Sequence, residues 1–178
     1  MPKIKVSYDE CSQSFLADEL HDDDFGTFVA WHRRRNLGEV NYPKHQEFLE
    51  SLEEGAMKIP IFIYEHSGFV LSTTPFACQW DSGQVGVWVF TSEDLVRIYG
   101  ADSEETRARA REGVDAQIGY MNAVYNGDVW RYDIEDFDGE IADSCGGFVG
   151  DDALECMKGH VPENLHADLE QAWENRLQ

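Results

Sequence analysis

Basic residues are scarce in this sequence. Its 178 residues include 14 Lys and Arg against 35 Asp and Glu, which gives a formal net charge of −21 at pH 7. Coulomb repulsion at that charge disfavours direct binding to DNA, RNA or an anionic bilayer. The composition therefore argues against a nucleic-acid-binding protein and favours a basic protein as the partner.

Long apolar runs and paired cysteines are missing as well. No stretch approaches the roughly 20 apolar residues that a membrane-spanning helix needs, and MPKIKVSYDE lacks the apolar stretch of a signal peptide. Cys11, Cys78, Cys145 and Cys156 form no C-x-x-C pair, so neither a zinc module nor a dense disulfide framework is indicated. We expect a soluble cytosolic protein with no membrane partner, metal or other cofactor.

Apolar side chains, in contrast, are plentiful. Hydrophobic residues make up 42% of the chain and include 5 Trp, 7 Tyr and 10 Phe, which is enough for one core in a single domain over residues 1–178. β-branched and aromatic runs predict strands, and apolar stripes at helical spacing predict helices. The sequence thus predicts an α+β fold, a mainly antiparallel sheet packed by two or three helices. The expected strands are KIKVSY (3–8), IPIFIY (59–64), FVLSTT (69–74), QVGVWVFT (84–91), VWRYDIEDF (129–137) and GEIADSC (139–145).

Turn and cap residues mark where these elements begin and end. Ser67-Gly68 is expected to join two strands, and Asp138-Gly139 predicts a hairpin with a type I′ turn. Helices are expected over residues 44–54, over 92–99 with Ser92 as N-cap, and up to Gly127 after a capping pair of Asp102 and Glu105. A last helix is expected to open at Pro162.

The acidic residues are concentrated near the C-terminal end. Residues 128–178 hold 3 basic and 14 acidic residues, a net charge of −11. Alternate residues of a strand lie about 6.6 Å apart on one face, so such acids can form a regular array that imitates nucleic-acid phosphates. A solubilising or salt-adapted surface explains the same residues equally well. The candidate partner-binding acids are Asp22, Asp23, Asp24, Asp133, Glu135, Asp136, Asp138, Glu140, Asp143, Asp151 and Asp152.

Four other groups have a possible chemical role. His66, Asp81 and Ser82 are the candidate base, orienting group and nucleophile of a hydrolase, although Ser-Gly pairs are also ordinary turn residues. The cluster from His32 to Arg35 can hold a phosphate or carboxylate, or it can neutralise the protein's own acids. Asp136 and Asp138 resemble part of a calcium loop but lack its first and twelfth ligands, and Cys145, Cys156 and His160 match no ordinary zinc spacing.

Several short segments carry a family resemblance. At WHRRRNLG, YEHSG, STTPF, WDSGQVG and DSCGGFVG the chain resembles a family of small uncharacterised proteins of bacteriophages and plasmids. The resemblance implies a mobile element and the cytosol of its host cell, without an activity or catalytic residues. In charge and setting alone, the chain is similar to the acidic antirestriction and anti-CRISPR inhibitors that such elements carry.

Three functions of different classes follow from these features. The first is a non-enzymatic inhibitor that binds a basic nucleic-acid-handling host protein, as a DNA mimic in its sharpest form. The alternative is a small hydrolase or nucleotide-processing enzyme that uses the region of His66, Asp81 and Ser82. A third is an accessory phage protein acting through protein contacts. The sequence leaves the oligomeric state open.

Overall fold

A computed structural model describes residues 3–20, 25–66 and 68–177, apart from the side chains of Phe15, Asp18 and Glu19. Within this part of the chain it has seven strands in two antiparallel sheets and six α-helices, which confirms the α+β class. In chain order the elements are β1 (Lys3–Tyr8), α1 (Glu10–Glu19), β2 (Thr27–Ala30), α2 (His45–Ser51), β3 (Met57–Glu65), β4 (Phe69–Ser72), β5 (Ser82–Phe90), α3 (Ser92–Tyr99), α4 (Glu104–Tyr125), β6 (Val129–Glu135), β7 (Ile141–Val149), α5 (Ala153–Lys158) and α6 (His166–Glu174).

The chain divides into two compact units. Unit 1 comprises Met1–Glu19 and Ala123–Gln178, and unit 2 comprises Leu20–Asn122. The antiparallel pairing of β1 with β6 brings the two ends of the chain together in unit 1. The sequence prediction of one domain over residues 1–178 stays a prediction.

Unit 1 contains the sheet β1-β6-β7, with β6 in the centre. Trp130, Tyr132 and Ile134 of β6 are buried, as the alternation of apolar and polar residues predicted. They share one apolar core with Met157 of α5 and Leu169 of α6. The intervening residues of β6 carry charge and lie on the other face of the sheet, which we call the outer face of unit 1.

Unit 2 contains the sheet β2-β5-β3-β4. The sequence predicts an apolar stripe on α4 of Ala110, Val114, Ile118, Met121 and Tyr125; the first four are buried, whereas Tyr125 is half-buried. Alternate residues of β3 are buried as well, from Met57 to Ile63. Helix α4 thus has one buried apolar face, as an amphipathic helix that packs on a sheet does.

Both edges of the unit 2 sheet are hydrogen-bonded to other parts of the unit. At the β2 edge, the Ala30 N–H donates to the Val40 carbonyl at 2.8 Å. At the β4 edge, the Asn122 side chain accepts from the Leu71 N–H at 2.7 Å and donates to the Leu71 carbonyl at 2.9 Å. An edge that is covered in this way is protected from pairing with a foreign strand.

Helix α1 was missed, and two predicted caps are wrong. The segment ECSQSFLADE shows no apolar stripe that would have indicated a helix. Helix α3 is capped by Thr91 and not by Ser92, since the Thr91 side chain and the Asp94 backbone and carboxylate bond reciprocally. At α4 the hydroxyls of Ser103 and Thr106 accept from each other's backbone N–H, while Asp102 bonds Arg107.

The predicted hairpin is confirmed, but its turn is not type I′. That turn needs positive φ at both central residues, and within the described residues only glycines have it, including Gly139 with φ 83°. Asp136 shapes the turn instead, because its carboxylate accepts the N–H groups of Asp138 and Glu140 at 2.8 and 3.0 Å. In the predicted Ser67-Gly68 turn, Ser67 lies outside the described residues.

The helices of the described part of the chain are polar or short. Helix α4 is the longest, with 22 residues, and neither it nor any other described helix has the apolar composition that crossing a bilayer requires.

Candidate functional site

The acidic residues of β6 lie on a surface of mixed charge. Asp133 bonds Arg131 at 2.7 Å, and Glu135 bonds Lys5 of the neighbouring strand. Lys5 and Lys3 lie directly opposite Asp133 and Glu135 in the β1–β6 register. Charges of both signs therefore lie side by side on the outer face of unit 1, in place of the purely negative array expected from the sequence.

A second group of acids surrounds the hairpin turn. Asp136 is engaged with backbone N–H groups, whereas Asp138, Glu140 and Asp143 are exposed. Asp143 lies opposite Ile134 across the β6–β7 ladder. The turn thus gathers four of the predicted acids at one end of the hairpin, with three of them open to solvent.

Asp151 and Asp152 lie at the opposite end of the same hairpin. They follow β7 directly, where Val149 pairs with Val129, whereas the turn adjoins the pair Glu135 and Ile141. Six residues of strand separate the two ends, which is about 20 Å. The acids after β7 are therefore a group of their own. The remaining predicted acids, Asp22, Asp23 and Asp24, lie outside the described residues.

Few of the acids of unit 1 are matched by a base. The unit holds 18 Asp and Glu against 5 Lys and Arg, a net charge of −13. Among the described side chains, those that bond to Lys or Arg are Asp133, Glu135, Glu155 and Glu170. Hydrogen bonds from Lys158 to Glu155 and Glu170 raise the pKa of that lysine. Most of the described carboxylates of unit 1 thus form no ion pair with Lys or Arg.

One carboxylate of unit 1 is buried, and sequence reasoning missed it. The Asp9 side chain accepts the N–H groups of Ser12 and Gly147, both at 3.0 Å. Gly146 and Gly147 form a bulge opposite Arg131, with Gly147 at φ 82°, and a Cβ on Gly146 would collide with the Asp9 carboxylate. Burial alone raises the pKa of Asp9, but the hydrogen bonds from Ser12 and Gly147 and the charge of Arg131 outweigh it and lower that pKa. The paired glycines of DSCGGFVG were the only sequence signal.

In unit 2, Glu65 joins two of the segments that carry the family resemblance. Its carboxylate accepts from His32 Nε2 at 3.2 Å, from Arg34 at 3.2 Å and from Arg35 at 3.3 Å. Burial raises the pKa of Glu65, but these neighbours, first His32 and Arg35, bring it below the ordinary value. Of the two roles predicted for the basic cluster, Arg34 and Arg35 show the internal ion-pair role. Arg33 lies over the Tyr42 ring, 5.7 Å from its centroid.

The candidate hydrolase residues are only partly brought together. His66 Nδ1 lies 3.8 Å from an Asp81 oxygen, and both side chains are exposed. The Glu65 N–H donates to the Asp81 carbonyl at 2.8 Å, which places the YEHSG and WDSGQVG segments side by side. Ser82 differs, since its hydroxyl donates to the Cys78 carbonyl. The structure therefore places His66 near Asp81, while the Ser82 hydroxyl is bonded to the carbonyl of Cys78 within its own turn.

Trp80 adjoins this pair and was not singled out from the sequence. Its side chain is 94% exposed, which is unusual for the largest apolar side chain. Tryptophan is enriched at the centres of protein interfaces and also stacks on bases. Trp80 directly precedes Asp81 in the chain, so an exposed aromatic residue is the sequence neighbour of the pair.

Groups with metal-binding chemistry do not converge in the described part of the chain. Within it, no three His, Cys, Asp or Glu side chains lie close enough to share a metal ion. Cys145 belongs to β7, Cys156 to α5, and His160 packs edge-on against the Phe148 ring. All four cysteines are free thiols. Asp136 and Asp138 belong to the hairpin, as the sequence favoured over a calcium loop.

Comparisons with models of protein families, with curated proteins and with solved structures found no match to this chain. The functional argument therefore depends on the geometry and charge described above. The resemblance of the five short segments to proteins of phages and plasmids stays a prediction.

Proposed function

We propose that this protein is an acidic counter-defence inhibitor of the phage or plasmid type, which binds a basic nucleic-acid-handling protein in the cytosol of the host. The observation that carries the proposal is the net charge of −13 on unit 1, where few described carboxylates have a basic neighbour. A field of that sign accelerates the encounter with a cationic groove.

Two exposed groups of acids on unit 1 suit such a groove. One surrounds the hairpin turn, with Asp138, Glu140 and Asp143, and the other, Asp151 and Asp152, follows β7. Their separation of about 20 Å along the hairpin is the length of roughly six base pairs of DNA, given one charge per about 1.7 Å of helix axis. We propose that they occupy phosphate positions in the partner, as an antirestriction or anti-CRISPR inhibitor of the DNA-mimic kind does.

The test is retention of host proteins on the immobilised inhibitor at low and high salt. We expect a nuclease or another nucleic-acid enzyme to bind at low salt and to be released at high salt, because exposed charges are screened. The unit 1 variant replaces the two acid groups with amides: Asp138→Asn, Glu140→Gln, Asp143→Asn, Asp151→Asn and Asp152→Asn. Its association rate with the retained protein should fall about tenfold or more.

A matched control removes the same charge from exposed acids of unit 2. It consists of Glu47→Gln, Glu54→Gln, Glu93→Gln, Glu105→Gln and Glu112→Gln. If the association rate falls equally in both variants, only the total charge of the protein matters, and the acid groups of unit 1 have no special role. If the unit 1 variant still shields a phage or plasmid from host defence as well as the wild type does, the inhibitor proposal is wrong.

The approach of His66 to Asp81 favours the hydrolase or nucleotide-processing enzyme as a second candidate. In that reading His66 is the general base, Asp81 orients it, and Trp80 offers a stacking surface for a base. Hydrolysis of phosphodiester and ester substrates by the wild type, lost in His66→Ala and retained in Glu54→Gln, would support it. Absence of turnover in the wild type would leave the inhibitor as the only one of these two functions.

A further inference from the structure

A groove of about 700 Å³ runs along β1 in unit 1. One wall is β1 itself, from Lys3 to Ser7, and the other is formed by α6 and the residues that follow it, including Asp168, Gln171 and Arg176. Because β1 is an outer strand of the sheet β1-β6-β7, the groove lies at a sheet edge. None of the residues of the two exposed acid groups lines it.

The free edge of β1 presents unused backbone groups to this groove. The Asp9 N–H donates to the Val129 carbonyl, so Asp9 and Val129 are a hydrogen-bonded pair. Bonded pairs alternate along an antiparallel ladder, so Lys3, Lys5 and Ser7 point their backbone groups towards β6. The N–H and carbonyl groups of Ile4 and Val6 then point away from it, and no described residue bonds them.

The charge of the groove is opposite to that of its unit. Unit 1 has five basic residues, and three of them, Lys3, Lys5 and Arg176, line this one groove. Asp133 and Asp168 line it too; Asp133 is bonded to Arg131 and Lys5 to Glu135, so the lining as a whole carries one net positive charge. A negatively charged segment is therefore attracted here although the unit as a whole repels it.

Arg176 stacks against two tryptophan rings. Its guanidinium carbon lies 3.8 Å from the centroid of the Trp173 ring and 4.9 Å from that of Trp130, and one of its nitrogens donates to the Trp173 carbonyl at 2.7 Å. Its Nε is buried without a hydrogen-bond partner among the described atoms. A guanidinium fixed by stacking loses little conformational entropy when it binds a carboxylate.

We propose that this groove binds an extended acidic peptide of a partner protein, which adds to β1 as a fourth strand. Backbone groups of Ile4 and Val6 would bond the peptide, and acidic side chains at alternate positions would lie opposite Lys3 and Lys5. Arg176 would receive a further carboxylate at the α6 wall. This interaction is independent of the inhibitor function proposed above.

A second copy of the chain is the less suitable occupant. Pairing of β1 with β1 of another copy would bring the lysines of both strands onto the same face, and lysine at a sheet edge opposes such self-association. The same lysines attract an acidic peptide. The groove therefore disfavours β1 of a second copy and favours an acidic strand.

The test uses a fluorescent, N-acetylated hexapeptide of alternating Glu and Val, with an alternating Lys and Val hexapeptide as its counterpart. We expect the acidic peptide to bind the full chain at least tenfold more tightly by fluorescence anisotropy. Hydrogen exchange at the Ile4 and Val6 amides should slow in its presence, while exchange at Lys5 should change little. Equal affinity for the two peptides, or unchanged exchange at Ile4 and Val6, would overturn the proposal.

Charge reversal of the edge gives the matched protein variants. Lys3→Glu with Lys5→Glu should weaken binding of the acidic peptide at least tenfold, whereas Lys44→Glu with Lys58→Glu in unit 2 should leave it within twofold. If the edge variant fails to fold, two N-methylated peptides replace it, each blocking one alternate set of amides. Methylation of the amides that face β1 should abolish binding, whereas methylation of the other set should not. Equal binding by the two peptides would contradict strand addition.

The same exchange experiment detects self-association. Without peptide, the Ile4 and Val6 amides should exchange at a rate that does not depend on protein concentration. Protection that grows with concentration, together with a dimer in sedimentation, would assign the groove to a second copy and overturn the peptide proposal.

Discussion

The two units treat the edges of their sheets differently. In unit 2 the β2 edge bonds Val40 and the β4 edge bonds the Asn122 side chain. In unit 1 the edge of β1 bonds no described residue beyond its partner strand, and this unit also carries the larger negative charge, −13 against −8. A hydrogen-bonded edge is protected from pairing with a foreign strand, whereas an edge with unpaired N–H and carbonyl groups can add one. Unit 1 is therefore the better candidate for contact with other proteins.

The units also anchor their carboxylates differently. Asp9 of unit 1 is held by backbone N–H groups at a bulge, while Glu65 of unit 2 is held by the side chains of His32, Arg34 and Arg35. Backbone donors are fixed by the fold, but long cationic side chains lose entropy when they are ordered and are partly screened. Removal of Asp9 should consequently cost more stability than removal of Glu65.

The largest effect is expected from Gly86→Ala in unit 2. A Cβ there would lie 2.5 Å from the Val29 carbonyl oxygen and 2.6 Å from the Phe28 ring, so two paired strands must separate. We expect a loss of about 3 kcal/mol in the free energy of unfolding, the upper part of the usual range for overpacking. Urea denaturation measures it.

The control for this variant lies in the same segment. Gly83→Ala places its Cβ in open space, with no atom within 4 Å, and should change stability by less than about 0.5 kcal/mol. A similar loss in both variants would show that the glycines of WDSGQVG do not act through packing. The contrast between the closely packed strands of unit 2 and the open β1 edge of unit 1 would then lose its support.

The next effect is expected from Asp9→Ala in unit 1. The change leaves the N–H groups of Ser12 and Gly147 without their acceptor and should cost about 2 kcal/mol. Glu10→Gln, at an exposed neighbour, should be nearly neutral. If Asp9→Ala is as harmless as Glu10→Gln, the bulge does not depend on this carboxylate.

The pH dependence of stability is a second test of the role of Asp9. The pKa of Asp9 is lowered in the folded protein, by hydrogen bonds from Ser12 and Gly147 and by the charge of Arg131, against the opposing effect of burial. Its contribution is therefore fully present above the unfolded pKa of about 3.9 and is lost as the pH falls through the lower folded value. Asp9→Asn should flatten this acid limb, which denaturation at pH 2.5 to 6 measures. An unchanged limb would contradict the role of Asp9.

A smaller effect is expected from Glu65→Gln. Glutamine keeps an acceptor for His32 and the arginines but removes the charge, and the Glu65 side chain is 25% exposed. We expect a loss of about 1 kcal/mol by urea denaturation, reduced at high salt. Glu54→Gln, at an exposed acid, is the control and should be neutral. A larger loss than in Asp9→Ala would reverse the comparison of the two anchors.

The periodic parts of the fold could be predicted from the sequence. The buried residues of β6 alternate and those of α4 recur at helical spacing, because burial on one face imposes these periods. KIKVSY is a strand over the predicted residues. Neighbouring cap residues were not separable, since Thr91 and Ser92 are both good N-caps.

The parts that depend on long-range contacts could not be predicted. Asp9 and Gly147 are 138 residues apart, and Lys5 and Glu135 are 130 residues apart. Local patterns do not indicate such pairs, so Asp133 and Glu135 were expected in a negative array instead of on a face of mixed charge. The same limit applies to the edge of β1, which is defined by pairing with β6 near the other end of the chain.

The smallest effect on stability is expected at His66 and Ser82. His66 is largely exposed, and His66→Ala should change the free energy of unfolding by less than about 0.5 kcal/mol. Ser82→Ala removes the hydrogen bond to the Cys78 carbonyl and should cost about 0.5 to 1 kcal/mol. Because both residues belong to unit 2, we expect the proposed inhibitor function, which we assign to the acids of unit 1, to survive both changes. If His66→Ala no longer shields the phage or plasmid from host defence, with stability unchanged, the function belongs to the His–Asp pair of unit 2 and not to the acids of unit 1.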